Sequence, residues 1–170
     1  VLTGVSEGWR VADEIAKSGL PVITGPVQAI PTRQSDSYDA AYANPGIMSK
    51  AGVKVALRTM EAENVRNLPY HAGFAASYGM GREEALKAIT INAAEILGIG
   101  DQLGSIEVGK KANIFVATGD PFETATKITE LFIDGYKVPM TSRQIRLYDE
   151  FLNRTPGVDK SKKAIDIKKK

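Results

Sequence analysis

The sequence runs to 170 residues, 43% apolar and 25% charged, with a formal net charge of +2 and no cysteine. That is enough chain for one ordinary globular domain with a core, and the absence of cysteine excludes disulfides, thiolate metal sites and cysteine catalysis. So even a charge balance is no nucleic-acid signature, and no apolar run approaches the ~20 residues of a membrane span.

Val1-Leu2-Thr3-Gly4 opens inside what reads as a buried strand, with no initiator Met and no visible signal peptide, as in a fragment or a processed chain. Ser6 is placed to cap a helix from Glu7, with Trp9, Ala12, Ile15 and Ala16 on one face and Gly19 as its stop. Pro21 to Thr24 is a second strand, ended by Gly25-Pro26. Strand, helix and strand make a βαβ unit, so the two strands are expected to be parallel. A polar, turn-rich stretch follows from Ala29 to Asp39. Asn44 then reads as the cap of a short helix with Pro45 at its first position, ending near Gly52.

Val53 to Leu57 is the third strand, and the long polar loop Arg58 to Leu68 leaves its C-terminal end. Pro69 opens a helix to about Tyr78, stopped by Gly79. One helix is predicted from about Arg82 to Leu97, with Ala85, Leu86, Ile89, Ala93 and Leu97 on its apolar face. From Gly98 onward, glycines punctuate shorter segments. Ala112 to Thr118 reads as a strand, and Ile128–Ile133 and Tyr136–Pro139 as a hairpin about Asp134-Gly135. Ser142 caps a last helix through about Leu152. Lys110 and Lys111 read as solvated, and the tail from Lys160 to Lys170, with six lysines and one acid, as a disordered end.

Three parallel strands are thus expected near residues 1–4, 21–25 and 53–58, in that spatial order, with helices on one side. Antiparallel strands near 112–118, 128–133 and 136–139 should lie outside that layer. Parallel sheets usually continue on both sides, so three strands imply that the rest of a sheet or barrel is supplied elsewhere.

The segment Arg82 to Gly98, with its Ala93-Ala94-Glu95-Ile96-Leu97-Gly98, resembles the last barrel helices of the amidohydrolase superfamily. Gly104-Ser105-Ile106-Glu107-Val108-Gly109-Lys110-Lys111-Ala112-Asn113 is similar to the phrase that leads into that superfamily's C-terminal β-sandwich, with Asn113 where Asp is usual. Gly119-Asp120-Pro121 matches its turn. Upstream, Gly25-Pro26-Val27, Tyr38 to Pro45 and Asn64 to Tyr70 resemble the imidazolonepropionase-like branch.

The resemblance covers residues 1 to 152 and implies an α/β fold. Its first part would be a partial (β/α)8 TIM barrel, the last three βα units, over residues 1–100. The C-terminal part of a composite β-sandwich with the final helix would fill 101–154, and the lysine-rich tail 155–170. It also implies hydrolysis of non-peptide C–N bonds by water activated on a divalent metal, zinc first. A second polypeptide or an N-terminal region would complete the barrel around a small amide substrate, with no part for nucleic acid or membrane.

The family's ligands are an H-x-H pair on the first strand, a His or carboxylated Lys on the fourth, His on the fifth and sixth, and Asp after the eighth. Under the resemblance only the last two positions fall in this chain. The sixth strand would be Val1 to Ser6, and it holds no histidine. The Asp belongs near Thr59 to Glu61, where Glu61 is the nearest carboxylate and so the candidate metal ligand and base. Its extra methylene moves the oxygens by roughly 1.5 Å. Read alone, Glu61 and Glu63 are solvated loop acids.

Asn64 and Arg66 are candidates for substrate contact, since a guanidinium grips a carboxylate through two donors. Structural hydrogen bonds within the loop are the plainer role for both. His71, the one histidine, reads as packed or capping, because a catalytic zinc site needs three protein ligands. Trp9, Tyr38, Tyr42, Tyr70 and Tyr78 read as packing between helices and barrel. Two functions outside this reading stay open: a non-catalytic scaffold or partner-binding subunit, and a small free-standing interaction protein.

Overall fold

The structure, a computed structural model, describes residues 1–154. The predicted tail beyond them lies outside the described residues. The first half is a parallel sheet of β1 (Leu2–Thr3), β2 (Val22–Thr24) and β3 (Val55–Leu57), in sequence order. Leu2 is in register with Val22 and Val55, and Thr3 with Ile23 and Ala56. Side chains alternate across a strand. Val22, Val55 and Leu57 therefore enter one core with Ala12, Ile15, Met48, Ala72 and Ala85 from the helices. Thr3, Ile23 and Ala56 form the row on the other face. The predicted strands, their order and their one-sided helical cover are all present.

The first helix differs from expectation. Ser6 caps nothing: a 3-10 turn, Gly8–Arg10, comes first, and α1 (Ala12–Ser18) begins after it without a side-chain cap. The cause is an acceptor from elsewhere, because the Trp9 N–H donates to Asn44 Oδ1 at 2.8 Å. Gly19, left-handed at φ 66°, ends α1 as expected.

Asn44 and Pro45 are not a helix start either. They lie buried inside α2 (Ala40–Lys50). The run Ala40-Ala41-Tyr42-Ala43 already forms a helical turn on Asp39, and Pro45 forgoes one helical bond. After β3 the loop winds into a 3-10 turn, Ala62–Asn67, and α3 (Leu68–Ala75) runs into a π turn over Ala76–Met80.

The predicted single helix 82–97 is two, α4 (Arg82–Ala88) and α5 (Ile91–Ile96). Thr90 breaks it by turning its hydroxyl back to the Leu86 carbonyl at 2.7 Å. The break lets Asn92 donate to the Val55 carbonyl at 3.0 Å, pinning α5 to β3. Its buried positions are therefore Ala85, Ala88 and Ala94, while Leu86 and Leu97 are exposed.

The second sheet, β4 (Ile114–Ala117), β5 (Ile128–Ile133) and β6 (Tyr136–Val138), is antiparallel and separate from the first. Asp134 and Gly135, at φ 50° and 80°, form the hairpin turn read from the sequence. Asn113 Oδ1 accepts the Asp134 N–H at 2.8 Å, a role an Asp carboxylate could also fill. Lys110 is not solvated. Its ammonium bonds Ser105 Oγ at 2.5 Å and Glu107 at 3.1 Å, folding the Ser105–Lys110 phrase onto itself. Ser142 caps α6 (Arg143–Arg154) as expected, accepting the Ile145 N–H at 3.2 Å. No helix among the described residues is long and apolar enough to cross a membrane.

Candidate functional site

In parallel sheets the chain is least constrained where strands end, so loops with chemistry gather at the C-terminal edge. Here the ladder extends past the strands. Gly4 N–H bonds the Ile23 carbonyl at 3.1 Å, and Arg58 N–H the Thr24 carbonyl at 2.9 Å. The loops after β1, β2 and β3 thus leave from one edge.

Two buried polar side chains shape that edge. Asn44 donates to the Val5 carbonyl at 2.8 Å and to Thr24 Oγ1 at 3.2 Å, while its own oxygen holds Trp9. Thr24 Oγ1 also donates to Val5 at 2.8 Å. His71 is buried as expected, and its Nδ1 accepts the N–H groups of Val27 at 3.0 Å and Gln28 at 3.4 Å. That assigns the ring proton to Nε2, and burial lowers the pKa of the imidazole, keeping it neutral.

The sequence candidates sit in the third loop. Glu61 is exposed at the head of the 3-10 turn, with its carbonyl accepting from Asn64 N–H at 3.1 Å and Thr59 Oγ1 at 3.3 Å. Asn64 is half-buried and Arg66 exposed. Among the described residues the side chains of Glu61, Asn64 and Arg66 have no hydrogen bond or ion pair with one another. Met60, just before Glu61, is exposed and left-handed at φ 72°, a conformation uncommon for a side-chain-bearing residue.

Among the described residues no three His, Asp or Glu side chains converge. The Nδ1 of His71 is committed to backbone N–H groups. These residues do not fit a metal centre by themselves.

A larger concavity of about 700 Å³ lies along the outer side of α3, lined by Gln28, Tyr70, Phe74, Tyr78, Arg82 and Phe122 among others. Its wall is an aromatic cluster, Tyr42 to Tyr78 at 5.0 Å and Tyr42 to Phe74 at 5.4 Å. Arg82 pairs with Asp120 at 2.5 Å and covers the Phe122 ring at 5.7 Å. The Arg82 bond holds the Asp120 carboxyl below its usual pKa. A pocket of about 70 Å³ among Ser6, Trp9, Gly25, Pro26 and Asp36 lies nearer the strand ends. The strand-end edge is the better site on chemical grounds, since the outer groove's one acid–base pair is already closed on itself.

Sequence reading missed Asn44, taken for a cap, and Arg58, taken for loop. For Arg58 the signal was present: a charged residue directly after the fully buried Val55-Ala56-Leu57.

A sequence profile of the amidohydrolase family matches residues 29–138. An imidazolonepropionase of Thermoplasma volcanium is 32% identical over 124 residues, covering 65% of this chain and 30% of that protein. An N-substituted formamide deformylase of Arthrobacter pascens is 41% identical over 59 residues, 31% of this chain and 11% of that one. Among solved structures, an amidohydrolase from Thermotoga maritima superposes with a TM-score of 0.71 at 29% identity, covering 81% of this chain and 36% of its own. The chain spans about a third of the length of the imidazolonepropionase and the Thermotoga protein.

Proposed function

The chain belongs to the amidohydrolase family, and from that membership we propose that it is part of an imidazolonepropionase-like hydrolase of non-peptide C–N bonds, amides or cyclic amides. The observation that carries the reading is geometric. Three parallel strands in sequence order bring the polar loop of residues 58–68 to their C-terminal edge. In this reading the strands are the sixth to eighth of a (β/α)8 barrel. Residues 1–100 are barrel, and 101–154 are part of a composite sandwich. The outer edges of β1 and β3, which no described strand pairs, continue into an N-terminal region or a second polypeptide.

Glu61 then serves as the general base for the attacking water, with Asn64 and Arg66 on the substrate. The family's divalent metal, zinc foremost, takes its ligands from the completing region. The test is hydrolysis by the complete protein of a panel of N-formyl and cyclic amides. Turnover is expected, with Glu61→Gln lowering kcat by about 10²–10⁴-fold, the usual range for a lost general base. An unchanged kcat in that variant removes Glu61 from the role, and no turnover of any panel member rejects the hydrolase.

One observation favours a second reading, a non-catalytic scaffold or partner-binding subunit: no three ligating side chains converge among the described residues. Metal analysis of the natively purified protein separates the two readings, since the scaffold holds no stoichiometric ion.

A further inference from the structure

Arg58 continues β3 by one residue, its N–H bonding the Thr24 carbonyl at 2.9 Å. Alternation therefore sets its side chain on the face of Ala56, opposite Val55 and Leu57 and the helices behind them. From there it reaches across the end of β2 toward β1. A Cβ on Gly4 would come within 3.3 Å of Arg58 Nη2. Gly25, next to Arg58 in the extended register, has no room for a Cβ, which would meet the Arg58 carbonyl oxygen at 2.0 Å.

Among the described residues the guanidinium has no counter-charge. Arg58 Nε exposes less than 1 Å² and has no hydrogen-bond partner, and no carboxylate pairs with this side chain among the described residues. Arg10, Arg33 and Arg82, by contrast, each meet an acid. Arginine does not deprotonate in proteins, and a partly buried charge needs an opposite one. Glu61, the nearest acid along the chain, is exposed. Gly4, just past β1, puts no side chain against Arg58 Nη2, where a Cβ would come within 3.3 Å.

We propose that Arg58 anchors an anion site at the C-terminal edge of the parallel sheet, and that its ligand is the carboxylate of a small molecule. The guanidinium's remaining N–H groups, in a planar fork, take the two carboxylate oxygens. The site rests on reading this edge as the substrate face, but not on hydrolysis.

Calorimetry on the complete protein tests it, with glutarate as probe and glutaramide as its neutral isostere. Glutarate is expected to bind and glutaramide to bind at least tenfold more weakly. Arg58→Met should lower glutarate affinity at least tenfold, and Arg58→Lys by an intermediate factor, because an ammonium keeps the charge and loses the fork. Equal binding of glutarate and glutaramide by the unaltered protein overturns the proposal whether or not the variants fold. So does wild-type glutarate affinity in Arg58→Met, or no glutarate binding at all, which would leave Arg58 to a carboxylate of the protein itself. Glutarate bound by a protein that hydrolyses no amide upholds the site while rejecting the hydrolase.

Discussion

Asn44 reaches Trp9, Val5 and Thr24 with one buried amide, so removing it strands several groups at once. Asn44→Ala leaves the Trp9 N–H without its acceptor and takes a donor from Val5 and Thr24. A buried donor left unpaired costs about 1–3 kcal/mol, and urea unfolding is expected to show a loss of about 2–3 kcal/mol. His71 makes a pH prediction. Its folded pKa lies below the ordinary 6.5, so its contribution to stability is complete above that value. As the pH falls below 6.5 toward the lowered folded value, the unfolded chain takes the proton first and stability drops. Protonation of Nδ1 would also remove the acceptor for Val27 and Gln28. Thermal melts from pH 7.5 to 5.5 should show this decline, and His71→Asn, which keeps an acceptor without titrating, should flatten it. An identical slope in both proteins refutes the assignment.

At the scale of elements, the strands were legible in the sequence because short apolar runs ended by Gly or Pro have few other structures to form. Pro21 to Gly25 is the clear case. The hairpin was legible for a local reason too, since Asp134-Gly135 supplies both left-handed residues itself. Gly19 and Ser142 marked helix ends locally, but other helix boundaries were not legible, because distant partners set them. Asn44 replaces the cap that Ser6 was expected to give, and the hold of Asn92 on Val55 divides a helix whose periodicity runs unbroken. The sequence placed the loop of Glu61, Asn64 and Arg66 after the third strand, but the surroundings of Arg58 were not legible, since they depend on Gly4 and Gly25 far upstream. Gly25→Ala tests that crossing. The new methyl group would sit 2.0 Å from the Arg58 carbonyl, at φ 135° where side chains are strained. Backbone must move, so loss of the cooperative melt is expected, and a fully stable Gly25→Ala would mean that the β2–β3 crossing is looser than described.

For the whole molecule, the two sheets differ in how completely they are covered. The helix side of the parallel sheet is packed, whereas Phe115, Ile133 and Tyr136 of the antiparallel sheet and Ile145, Tyr148 and Phe151 of α6 are exposed. With open edges on β1 and β3 as well, the isolated chain is expected to self-associate or to be captured by the region that completes it. Sedimentation checks this: a monodisperse monomer with a sharp melt would show the edges to be tolerated. The Asn44 contacts have a further meaning for biosynthesis. Among the described residues, every hydrogen-bond partner of that side chain, Val5, Trp9 and Thr24, is translated before it. The same holds for His71 with Val27 and Gln28, and for Asn92 with Val55. Each latch closes backward onto peptide that has already been made, so the parallel half can lock in steps as it leaves the ribosome, without waiting for the antiparallel half. Trp9, the chain's one tryptophan, lies beneath the first of those latches and would report its closing on a stalled nascent chain.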